Sequence, residues 1–202
     1  MDAYVDAFTA AARPVAVEIY THAYRVAGTI STRFSRVAEM LNQLSGSHLS
    51  LERATIAEYA DASGTLAAPR AYVALDEILF MVAPDTAGTS RSEMLIHKRP
   101  VRAQLAIPPF RLTGVIHVVH GTRPVDALLN LSDRFMPMTQ VTVTSGPYPD
   151  LARDVAAVAL RRDRAHVLLV ADDERPDELL AEVIDERTAE AWLHAAEEGR
   201  SS

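Results

Sequence analysis

The 202 residues, 49% hydrophobic and 23% charged, have the composition of a folded globular chain, long enough for one large domain or two small ones. A formal net charge of −7 disfavours a broad surface for nucleic acid or anionic lipid, because both need clustered Lys and Arg to meet phosphate; only a local basic patch is left open. The absence of cysteine removes disulfides, thiolate nucleophiles, iron–sulfur clusters and cysteine-based zinc sites.

The chain begins with an acid at position two and no apolar segment behind positive charge, and no run approaches a membrane span, so the sequence reads as soluble and cytoplasmic. In "DAYVDAFTAAA", Tyr4, Val5 and Phe8 share one helical face, with Pro14 as the stop. "VAVEIYTHA" (Val15–Ala23) alternates as a strand, and "YRVAGTI" (Tyr24–Ile30) follows as the second strand of a hairpin. The period then changes: Val37, Met40, Leu41 and Leu44 in "RVAEMLNQL" have helical spacing. Strands resume at "LSLERATIA" (Leu49–Ala57) and in "YVALDEILFMV" (Tyr72–Val82). Two stretches rich in Gly, Ser, Thr and Pro read as linkers, "DASGTLAAP" from Asp61 and "PDTAGTSRS" from Pro84; the second is the expected domain boundary.

The second half repeats the order. "VRAQLAIPP" (Val101–Pro109) and "FRLTGVI" (Phe110–Ile116) alternate as a hairpin, and "RPVDALLNL" (Arg123–Leu131) has helical spacing with Thr122 as N-cap and Pro124 in the first turn. "MPMTQVTVT" follows from Met136, and "VAL" recurs as Val73–Leu75 and Val158–Leu160 before the apolar runs "ILFMVA" and "HVLLVA". "YRVAGTI" and "FRLTGVI" share an aromatic, an Arg, an aliphatic, a Gly and an Ile in one order, and the hydrophobic rhythm persists beyond them, as a duplicated unit requires. The expected domains are 1–84 (a first β-barrel repeat with its N-terminal helix), 91–174 (a second repeat) and 175–202, an acidic amphipathic helix and tail. Gly28 and Gly114 occupy matching strand positions, where a glycine marks a bulge or a sharp bend in a curved sheet.

These residues resemble the Sm-like fold, a short, strongly bent five-stranded barrel with a Gly in its second strand. "DALLN" (Asp126–Asn130) is similar to that family's Asp-x-aliphatic-Met-Asn signature, although the interval from Gly114 is longer. Where the family has Arg-Gly before the last strand, this chain has Asp76-Glu77 in one half and "RRDR" (Arg161–Arg164) in the other. The resemblance therefore implies a mainly β fold with short helices: two duplicated Sm-like or SH3-like barrels plus terminal helices, of the kind found in bacterial domains of unknown function. If it extends to RNA binding, Arg99, Arg102, Asn130, Arg161, Arg162 and Arg164 are the implied contacts.

Chemistry finds little anchorage. His117 and His120 in "HVVH" stand three apart in a strand and point to opposite faces, so they are not read as ligands to one metal. There is no Gly-x-Ser-x-Gly, and "SGS" at Ser45–Ser47 reads as a turn. There is no glycine-rich phosphate loop, and acidic pairs such as Asp172-Asp173 fall at turns and on helix surfaces. "HKRPVR" (His97–Arg102) resembles the Arg-x-x-x-Arg opening of PilZ barrels, which respond to cyclic dinucleotides, with different spacing and without the Asp/Asn-x-Ser-x-x-Gly partner. The expected function is thus a non-catalytic binding or assembly module that takes a protein partner or self-associates, with no catalytic residue, cofactor or metal. Trp192 and Leu193 on the C-terminal helix are the expected anchors, since large apolar side chains carry most interface energy. Sm-like RNA binding and a cyclic-dinucleotide-responsive regulator are the alternatives.

Overall fold

The computed structural model describes residues 11–61, 64–83, 98–119 and 133–170. The expected terminal helices, the boundary from Pro84, the helix at 123–131, His120, Asn130, Trp192 and Leu193 lie outside these residues. Within them the fold is mainly β, with one α-helix, α1 (Val37–Gln43). The strands are β1 (Arg13–Tyr20), β2 (Tyr24–Thr32), β3 (His48–Glu58), β4 (Thr65–Ala74), β5 (Phe80–Val82), β6 (Lys98–Ile107), β7 (Phe110–Val119), β8 (Phe135–Ser145), β9 (Arg153–Arg161) and β10 (Val167–Val170).

All ten strands join one antiparallel sheet in the order β10-β6-β7-β8-β9-β5-β1-β2-β3-β4. The first half alone runs β5-β1-β2-β3-β4 and the second β10-β6-β7-β8-β9, so the two have the same strand order. Register agrees in detail. Val17 opposite Gly28 recurs as Ala103 opposite Gly114, Ala54 opposite Ala68 as Val141 opposite Val155, and Glu18 opposite Val82 as Gln104 opposite Leu169. A 3-10 turn precedes the last strand of each half, at Leu75–Glu77 and Arg162–Arg164. The shared tripeptide "VAL" is two residues out of this register: Val73 corresponds to Leu160, not to Val158.

Two separate closed barrels are not what the hydrogen bonding gives. β5 lies between β1 and β9, so the last strand of the first half bridges to the second half instead of closing on β4, and among the described residues the sheet is open at β4 and β10. The expected linker from Asp61 to Pro69 is also shorter than its composition suggested. Thr65 already begins β4, and Pro69 is accommodated there because it stands opposite the bulge residue Arg53, between the Glu52–Arg70 and Ala54–Ala68 pairs.

Each half encloses a core on the inward side of its alternating strands. Val15, Val17, Ile19, Leu49, Leu51 and Leu75 build the first, closed on one side by Ala38, Met40 and Leu41 of α1. Val101, Leu105, Phe110, Leu112, Met138 and Val143 build the second. Each core also takes side chains from across the seam: Phe80, Val82 and Tyr20 enter the second core, while Phe135 and Ala159 enter the first.

The glycines are explained by their partners. Between Ala27 and Thr29 the register with β3 slips, because β3 carries one extra residue; β8 does the same opposite Gly114. Arg53 and Gln140, at the extra positions, both have φ of 51°, the left-handed region that costs a side-chain-bearing residue energy. The bulge pushes carbonyls toward the facing strand. A β-carbon on Gly114 would stand 2.7 Å from Thr139 O and 3.0 Å from Gln140 O, and one on Gly28 3.1 Å from Glu52 O.

Candidate interaction surface

The seam between the halves shows how this sheet holds a neighbour. β5 and β9 pair through Phe80–Leu160, Met81–Ala159 and Val82–Val158, and all six side chains are buried. Around the ladder, polar side chains span the two halves. Asn42 Nδ2 donates to Phe135 O (2.8 Å) while Phe135 N–H donates to Asn42 Oδ1 (2.8 Å), which satisfies both backbone groups of the first residue of β8. Arg153 donates to Glu18 (2.6 Å) and to the Tyr20 hydroxyl (2.8 Å). Burial works against the charge on Arg153, and its interactions with Glu18 and Tyr20 together outweigh that, so its pKa is raised. Tyr20, Phe80, Phe110 and Tyr59 form a chain of stacked and edge-on rings through the same place. Burial raises the pKa of both Tyr20 and Tyr59 above the ordinary phenol value.

Arg161, one of the implied phosphate contacts, is consumed by the fold. Its side chain is only 7% exposed and donates to Leu75 O (2.6 Å), to Asp76 (2.9 Å) and twice to Asp163 (2.6 and 3.0 Å). The bond to Asp163 holds the guanidinium charged and, in return, lowers the Asp163 carboxyl below its usual range. Arg164 donates to Asp76 O (2.8 Å), and Arg162 lies in the same 3-10 turn. Arg99 and Arg102 stand on β6, three apart and so on opposite sides of the strand. The structure thus brings Arg161, Arg162 and Arg164 together and leaves Arg99 and Arg102 apart from each other.

Other candidates have structural partners. His117 Nε2 lies 3.1 Å from Thr139 Oγ1, and burial, with Lys98 and Arg36 nearby, lowers its pKa. Among the described residues there is no group of three or more His, Asp or Glu side chains placed to hold a metal, and no helix long and apolar enough to cross a membrane. A groove of about 840 Å³ lies beside α1, lined by Phe34, Met40, His48, Lys98, Asp133 and Phe135 among others.

The less conspicuous feature is at the two ends of the sheet. Leu66 and Tyr72 on β4 are 70% and 66% exposed, and Val167 and Leu169 on β10 are 50% and 49% exposed. These four account for most of the large exposed hydrophobics among the described residues, and all sit on strands with one neighbour. Sequence reasoning missed them: Leu66 falls inside the stretch read as a linker, and alternation cannot say which strand ends a sheet. The signal present was the pairing of "ILFMVA" with "HVLLVA", two apolar runs after equivalent turns. The chain matches no protein-family model, no curated protein and no solved structure.

Proposed function

We propose that the protein is a non-catalytic assembly module that acts through protein–protein contacts, built from two copies of one five-stranded unit of Sm-like or SH3-like type. The duplication is supported by the identical strand order, the matched registers and the paired bulges at Arg53 and Gln140. The observation that carries the function is the concentration of exposed apolar side chains on the two open edge strands, since an unpaired, apolar edge is a template for another chain. The seam's Arg153–Glu18 and Arg161–Asp76 pairs, which include the buried Arg161, are spent on holding the halves together.

The test is the solution mass of protein purified without nuclease, measured with its absorbance at 260 nm. Assembly gives a particle above 22.0 kDa with a protein-like spectrum. A 22.0 kDa particle at every concentration contradicts the proposal, and salt-sensitive nucleic acid in the peak favours the RNA-binding alternative instead.

A further inference from the structure

We infer that β4 of one chain pairs with β10 of a second copy, repeating between chains the contact that β9 makes with β5 within one. The inference deepens the assembly reading above and rests on it. β9 corresponds to β4, and β5 to β10, by strand order and by register. The internal seam therefore joins the same two kinds of edge that the sheet leaves open at its ends.

The side chains fit this correspondence. Phe80 and Val82 are 0% and 2% exposed because they enter the core of the other half, whereas their counterparts Val167 and Leu169 stand half exposed. Met81 packs on the core of its own half, and its counterpart Leu168 does likewise. On the other edge, Ala159 is 2% exposed and its counterpart Tyr72 is 66% exposed. Three positions buried at the seam, Phe80, Val82 and Ala159, are thus open at the ends, while Leu160 and its counterpart Val73 are both buried.

The backbone also has the needed polarity. Leu75 N–H donates to Ser47 O (2.8 Å), which places alternate residues of β4 toward β3 and turns the N–H and C=O of Tyr72 outward. At the seam Arg161 N–H donates to Leu79 O (2.8 Å), so Met81 turns its amide toward β9; Leu168, at the same place in β10, faces the open side. Carried over, the seam register sets Val73 opposite Val167, Tyr72 opposite Leu168 and Ala71 opposite Leu169. Pro69 lies beyond this ladder, and its nitrogen is on the side of β3, so the outward row of donors is unbroken there. Because the two edges differ, the contact is head-to-tail and propagates to further copies until it closes.

The chain has no native cysteine, so cross-linking reads the register directly. Ala71→Cys and Leu169→Cys are made in separate chains and mixed under mild oxidation. The expected result is a covalent dimer in the mixture but not in either chain alone, and none when Thr65→Cys replaces Ala71→Cys. As a second variant, Tyr72→Pro removes one outward donor without touching the β3 ladder; it should bring the mass to 22.0 kDa with unchanged circular dichroism. A chain carrying both cysteines that closes on itself instead would overturn the inference, as would a β10 edge that cross-links only after residues 171–202 are removed. A mass above 22.0 kDa without the dimer sinks the edge pairing and leaves the assembly reading standing; a mass of 22.0 kDa sinks both.

Discussion

The two halves of the sheet share strand order and register but differ in what covers their last strand. In the first half β5 is covered on both sides, by β1 and β9, and Phe80, Met81 and Val82 are all buried. In the second half β10 has β6 alone among the described residues, and Val167 and Leu169 face outward. Similar local sequence, three or four apolar residues after a 3-10 turn, has therefore two fates, set by the neighbour available. The lesson is that strand identity is local whereas strand partnership is not.

The largest test of this difference compares Phe80 with Val167. Phe80→Ala should cost about 3–5 kcal/mol in chemical denaturation, because it leaves a cavity in the second core. Val167→Ala, at the corresponding position, should lie within about 0.5 kcal/mol for the dissociated chain and show its effect in the solution mass. Equal losses at the two positions would mean that β10 is covered within its own chain.

A smaller effect sharpens the comparison at the bulges. The β-carbon of Gly114→Ala would meet Thr139 O at 2.7 Å, a backbone atom that cannot yield, and the substitution should cost about 2–3 kcal/mol. Gly28→Ala meets its tightest contacts at 3.1 Å and should cost about 1 kcal/mol. Urea midpoints at constant m-value would show the order, and a larger loss at Gly28 would contradict the steric account.

Much of this architecture was legible in the sequence because it depends on local patterns. The echo of "YRVAGTI" in "FRLTGVI" marks strands that prove to share register, and the switch from period two to helical spacing marks α1. The glycines were legible as bulge positions, although the extra residue belongs to the facing strand, where Arg53 and Gln140 gave no sequence signal. Composition misled at Asp61–Pro69, since small residues and a proline are tolerated in a strand opposite a bulge as well as in a loop. The sheet's openness was not legible. "FMV" at Phe80–Val82 is apolar throughout, so its pattern is consistent with β4 or β9 as a partner, and burial on both faces follows either way. Arg161 looked like part of a basic run, and only the fold brings Leu75 O, Asp76 and Asp163 around it.

The claim that the open edges repeat the seam is tested most directly by amide hydrogen exchange at Tyr72 and Leu168, compared with Ala159 and Met81 at the seam. In the assembled protein the four amides should be protected together, and dilution to the 22.0 kDa chain should release Tyr72 and Leu168 while Ala159 and Met81 stay protected. Rapid exchange at Tyr72 and Leu168 in a particle that remains larger than one chain would contradict the account.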